Sequence, residues 1–138
     1  MLRFTNLPIP KERPHFTFDE AHDMTLVIDK GMSYSVFRDY ARRSPFRTQE
    51  WVLLLDTSRH TLMRLKKGNK CFSKLQTEKI LQLAILCREG HREFRSIDNF
   101  RQWLCGENRT HGKAVPRLLL LQSSFGIQIL IDEVRHGW

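Results

Sequence analysis

No stretch of this sequence approaches the ~18 consecutive apolar residues that a membrane-crossing helix requires. The longest candidate, Val115 to Leu121, is interrupted by Pro116 and Arg117. The opening residues, Met1-Leu2-Arg3-Phe4-Thr5-Asn6, lack the apolar centre of a secretory signal. Cysteine is scarce: Cys71, Cys87 and Cys105 are odd in number and widely spaced, with no Cys-x-x-Cys. Reduced thiols and a cytoplasmic location are therefore expected, with Cys87 a small core residue. Histidines are scattered without a His-x-x-x-His spacing, and neither a Gly-x-Ser-x-Gly nor a phosphate-binding loop occurs. Asp132 and Glu133 are adjacent, so on a helix they point about 100° apart and make no catalytic dyad. These absences predict a non-enzymatic protein with no metal, no cofactor and no membrane partner.

Positive charge is abundant, and it is unevenly placed. The chain carries 23 Lys+Arg against 15 Asp+Glu, for a net +8. Residues 33–70 hold nine basic against three acidic groups, whereas residues 1–32 hold four against five. A local cation density of this kind suits phosphate contacts, where neutralisation and counterion release supply most non-specific affinity.

The same region has a helix-turn-helix layout. Thr48 is a fitting N-cap for a helix running through Trp51 to Leu55, with Gln49 and Glu50 in its first turn. Asp56-Thr57-Ser58 breaks that helix, and Ser58 is placed to cap the next, Arg59 to Lys67. Leu62 and Leu65 form its buried edge, and Gly68 is expected to end it with a positive φ. Arg59, His60, Thr61, Arg64 and Lys67 then face outward, and together with Ser58 they are the candidate DNA contacts in a recognition-helix arrangement. The plain alternative is a pair of packed surface helices with a solvated charged face.

The whole chain reads as all-α. Residues 1–18, with Pro8, Pro10 and Pro14, are expected to form an irregular arm. A helix over 19–30 should stop at Gly31. Ser33 caps the next helix, with Val36, Phe37, Tyr40 and Ala41 on one stripe, and Ser44-Pro45 closes it. Ser73-x-x-Gln76 is a capping-box signature with Phe72 before it. It opens a long helix of about six turns through Ile80, Leu83, Ala84, Cys87, His91 and Phe94. Ser96 caps a shorter helix bearing Phe100, Trp103 and Leu104. Cys105 to Ala114 should be a loop, followed by helices near Arg117–Leu121 and Ser124–Arg135. A helix-turn-helix bundle over 19–85 is thereby joined through the long helix to a small C-terminal helical module over 86–138, too short to bury a core alone.

Several segments resemble, in order and spacing, the Xre/MbcA/ParS class of antitoxins. The stretch Phe72-Ser73-Lys74-Leu75-Gln76-Thr77-Glu78 resembles the start of that family's linker helix, and Gly31-Met32-Ser33-Tyr34 and Arg59-His60-Thr61-Leu62 match upstream. Downstream, Trp103-Leu104, the loop with Asn108, Pro116, and Ser124-Phe125-Gly126-Ile127-Gln128 resemble the toxin-binding segment, which closes on His136-Gly137-Trp138. Asp56 stands where the family commonly has Gly, a position Asp tolerates in the left-handed conformation. The resemblance implies a non-enzymatic antitoxin of a type II toxin–antitoxin system. Such a protein represses its own operon by binding operator DNA as a homodimer, and neutralises a cognate RES-domain, NAD-consuming toxin. Toxin contacts would fall on Phe125, Gln128, Arg135, His136 and Trp138. On the last helix Phe125, Ile129, Val134 and Trp138 are expected to pack while Gln128, Arg135 and His136 face out, so that loss of residues 134–138 spares folding. Two other readings stay open: a stand-alone transcriptional regulator with a dimerising C-terminal module, and an interaction module whose basic face meets an acidic protein.

Overall fold

The computed structural model describes residues 18–109 and 112–136, so the expected arm lies almost wholly outside the described residues, as do Gly137 and Trp138. The fold is all-α apart from one minimal strand pair. Its elements are α1 (Phe18–Lys30), α2 (Tyr34–Arg43), α3 (Thr48–Leu54), α4 (Arg59–Gly68), α5 (Lys74–Phe94), α6 (Ile97–Leu104), β1 (Glu107–Asn108), β2 (Val115–Pro116), α7 (Arg117–Leu120) and α8 (Ser124–His136). Among the described residues no helix is long and apolar enough to cross a membrane.

Helix ends follow the capping chemistry of the sequence, with two one-residue corrections. Ser33, Ser58, Ser73 and Ser96 each accept a hydrogen bond from the backbone N–H three residues on, and Gln76 Oε1 completes the box by accepting from the Ser73 N–H at 3.3 Å. Thr48, expected as a cap, is instead the first helical residue of α3. Arg47 takes the cap position, because the Glu50 carboxylate satisfies its N–H at 2.9 Å. At the end of α4, Gly68 remains helical and Asn69 adopts the left-handed conformation at φ 45°. Asn69 stabilises that turn with its own side chain, whose Oδ1 accepts from the Ser35 N–H at 3.0 Å.

The 21-residue α5 is the spine on which the other helices pack. Ile80, Leu83 and Leu86 are completely buried on it, and α1 and α8 lie along it. One continuous apolar cluster runs from Met24 in α1 to Val134 in α8. At its N-terminal end, Trp51 meets Phe37 and Phe46 edge-on at 5.0 and 5.4 Å between ring centroids, which fixes α3 against α2. At the other end, Phe94, Phe100 and Trp103 stack where α5 turns into α6. Cys87, half-buried, packs against this core, and desolvation pushes its thiol up to about 12.

The packing of α8 differs from expectation. Its buried stripe is Ile127, Leu130, Ile131 and Val134, an i, i+3, i+4, i+7 set, whereas Phe125 is 85% exposed and Ile129 half-buried. Arg135 does not face out: its side chain is 6% exposed and its Nε lies 3.3 Å from the buried Glu89 carboxylate. Burying four aliphatic side chains is worth roughly 1.5–3 kcal/mol each as an upper bound. Val134 and Arg135 thus belong to the core, and removal of residues 134–138 is expected to destabilise the fold, the reverse of the sequence-based expectation.

The segment 105–114, expected as a loop, contributes β1, which pairs antiparallel with β2 through Glu107–Pro116 and Asn108–Val115. Two residues on each side have no periodicity to read. The ladder is held from outside it, by Asn108 Nδ2 donating to Glu133 at 2.9 Å and by the Arg117 N–H donating to the Gly106 carbonyl at 3.0 Å.

Candidate nucleic-acid interface

The turn between α3 and α4 is tight because three backbone donors close on α3. The Leu55 N–H reaches the Trp51 carbonyl, Asp56 reaches Leu53, and Thr57 reaches Val52 at 3.0 Å. Asp56 absorbs the reversal at φ 49°. Its short polar side chain makes the left-handed conformation cheaper than a branched residue would. Ser58 then starts α4, its Oγ accepting from the Thr61 N–H at 3.0 Å.

On α4, Leu62 is buried and Leu65 half-buried against the bundle. Opposite them, at i, i+4 and i+7, stand His60, Arg64 and Lys67, with Arg59 and Lys66 along one flank. All five are exposed. None of these side chains makes an ion pair among the described residues, so the face is uncompensated positive charge. Exposed Lys70 extends it past the helix end, and Met63 lies exposed between the cations. Thr61 is placed differently. It is half-buried toward the Leu65 side, and its hydroxyl accepts from Ser58 Oγ at 3.0 Å. Ser58 and Thr61 therefore shape the start of the helix, while Arg59, His60, Arg64 and Lys67 form its outer surface. Lys66 and Met63 were legible as exposed positions of the same helix, and Lys70 as a cation just past its end, but none was singled out from the sequence.

The pair α3–α4 is anchored to the rest of the protein by polar links at three points. Gln76 Nε2 donates to the Leu55 carbonyl at 3.0 Å, tying the start of α5 to the turn before α4. Arg101 Nη1 of α6 bonds Glu50 Oε1 at 2.6 Å and the Pro45 carbonyl at 3.1 Å. The Tyr34 N–H donates to the Lys70 carbonyl at 2.9 Å, which fixes the exit of α4 beside α2. Burial alone would raise the Glu50 carboxyl, but hydrogen bonds from Arg101 and the Arg47 N–H, with the charges of both arginines, hold it below its usual value.

At the C-terminal end, the residues predicted for partner binding are split. Phe125, Gln128 and His136 are exposed on α8, Arg135 is paired with Glu89 inside the protein, and Trp138 lies outside the described residues. Burial raises the Glu89 carboxyl, against the opposing charges of Arg92 and Arg88. A polar network that sequence reading missed joins four elements here. Arg117 grips Glu133 through two parallel hydrogen bonds, 3.2 and 2.8 Å, donates to the Trp103 carbonyl at 2.8 Å, and lies 4.4 Å over the Trp103 ring. Asn108 shares Glu133 Oε1. Arg117 and Glu133 are sixteen residues apart, so no local spacing could reveal the pair. No cluster of His, Cys, Asp and Glu suited to a metal ion occurs among the described residues. No protein-family model matches this sequence, and no curated protein is significantly similar to it.

Proposed function

We propose that this chain is a cytoplasmic, non-enzymatic antitoxin of the Xre/MbcA/ParS type. In this reading a homodimer holds operator DNA through α4, and the C-terminal module binds and neutralises a RES-domain, NAD-consuming toxin. The observation that carries the DNA half is the exposed crest of His60, Arg64 and Lys67, flanked by Arg59 and Lys66, with no acidic side chain paired to it among the described residues. A helix of that kind, projected by a tight turn, suits the major groove, where an arginine reads guanine with two hydrogen bonds while lysines neutralise phosphates. The toxin half is supported by Phe125, a large aromatic standing 85% exposed on α8 beside exposed Gln128. Exposed aromatics of this kind act as interface anchors.

The test has two arms. Binding to the DNA upstream of the chain's own gene should fall steeply with salt, as phosphate neutralisation requires. The product of the neighbouring reading frame, co-expressed, should copurify with the wild type and not with Phe125→Ala. Salt-independent or absent DNA binding removes the regulator reading. Operator binding without capture of the neighbour leaves a stand-alone regulator.

A further inference from the structure

We infer that the cavity between α2, α3 and α5 binds a small aromatic carboxylate of benzoate size, with its ring over Trp51, Ile80 and Ala84 and its carboxylate at Arg43. The cavity measures about 160 Å³, and an apolar protein cavity of about 150 Å³ accommodates one benzene ring. Its inner wall is apolar, formed by Trp51, Ile80, Ala84 and Cys87, and no acidic side chain lines it among the described residues. The Cys87 thiol, pushed up to about 12 by burial, adds no negative charge.

Arg43 and Arg88 bring positive charge to the lining, beside the hydroxyls of Tyr40 and Ser44 and the His91 ring, and among the described lining residues only Arg43 is exposed. The charge of Arg88 is already opposed by Glu89 and Glu20. Arg43, the last residue of α2, makes no ion pair among the described residues. His91 Nε2 is bonded to the Arg43 carbonyl at 2.8 Å, which fixes the backbone of that residue beside the cavity. Trp51 supplies a second signal: it is 4% exposed, yet its Nε1 has no hydrogen-bond partner among the described residues. A buried N–H left unsatisfied is costly, and an acceptor on a bound molecule would relieve that cost. An apolar wall sized for one ring, an uncompensated guanidinium and a spare indole donor together specify a planar organic anion.

Calorimetric titration of the full chain tests this with sodium benzoate, benzamide and benzylamine. Benzoate should bind saturably with one site per chain, and the two uncharged or cationic analogues at least about ten-fold more weakly, a difference of 1.4 kcal/mol. Arg43→Gln should remove that preference, and Ala84→Leu, which fills the cavity, should abolish benzoate binding while leaving a cooperative melt. Arg43 is exposed, so its variant remains decisive if Ala84→Leu does not fold. Absence of saturable benzoate binding by the folded wild type, equal affinity for benzamide, or an unaltered preference in Arg43→Gln would each overturn the assignment.

Discussion

Replacing Gly126 by alanine puts the packing of the C-terminal module to a direct test. A Cβ at residue 126 would overlap the Leu120 carbonyl oxygen and lie 2.6 Å from its carbon and 2.8 Å from its Cα. All three are backbone atoms, so no side chain can swing aside and the crossing of α7 over the start of α8 must open. Overpacking of this kind costs ~1–3 kcal/mol. Opening the crossing also loosens Leu121 and Ile127, each 1% exposed, and strains the Arg117–Glu133 pair. Because backbone atoms cannot yield, the upper part of that range applies, and the better helix propensity of alanine returns at most ~1 kcal/mol, leaving a net loss of about 1–3 kcal/mol. At roughly 4 °C per kcal/mol for a chain of this size, the melting midpoint should fall by ~4–12 °C. Gly68→Ala is the internal control. Its nearest neighbours are atoms of the flexible Lys70 side chain, at 3.0 Å and beyond, so it should be neutral or stabilising by up to ~1 kcal/mol. Thermal melts followed by far-UV circular dichroism decide the matter. A Gly126→Ala midpoint within about 2 °C of wild type would refute the close crossing.

Other perturbations have equally definite outcomes. Glu50→Gln should lower stability by ~1–2 kcal/mol at neutral pH, because Glu50 and Arg101 are about three-quarters buried and share a charge-assisted bond. The Glu50 carboxyl lies below its ordinary 4.5, so its contribution is present above that pH and lost as pH falls through the folded value; denaturant melts of the two proteins should converge in acid. Arg135→Met removes the 3.3 Å ion pair of buried Glu89 and leaves it the longer 3.7 Å contact to Arg92, and chemical denaturation should show a loss of ~3 kcal/mol. For DNA, Arg64→Ala should forfeit ~1–3 kcal/mol of preference for operator over random sequence. Lys67→Ala should weaken both alike and flatten the salt slope in fluorescence anisotropy. Equal discrimination by wild type and Arg64→Ala would remove Arg64 from base recognition.

Local chemistry was legible in this sequence, and long-range pairing was not. Ser33, Ser58, Ser73 and Ser96 announced four helix starts, because a hydroxyl and the N–H it caps are three residues apart. Asp56 marked the turn for the same reason: the conformation it tolerates is a property of one residue. The cap of α3 was displaced by one because Thr48 offers a hydroxyl, but Glu50 reaches back to Arg47 first. On α8 the stripe Ile127, Leu130, Ile131 and Val134 was available as a periodic pattern, yet the aromatic Phe125 drew the packed face toward itself. Arg135 looked like a surface cation because its partner, Glu89, is 46 residues away on α5. Asn108, Arg117 and Glu133 meet only once α7, α8 and β1 have assembled.

The hydrogen bond from Gln76 to the Leu55 carbonyl has a mechanical consequence. It couples the first turn of α5 to the hinge residue ahead of α4, while Glu89 on the same helix holds Arg135 of α8. These two attachments are thirteen positions apart on one continuous helix, about 20 Å at 1.5 Å per residue. α5 thus acts as a lever arm with a load at each end and no joint between. Under the proposed function, a torque applied to α8 by a bound toxin would be delivered to the angle of α4, and a DNA groove fixing α4 would resist it. Such transmission is reciprocal by thermodynamic necessity, so the two ligands would then alter each other's affinity by one common factor.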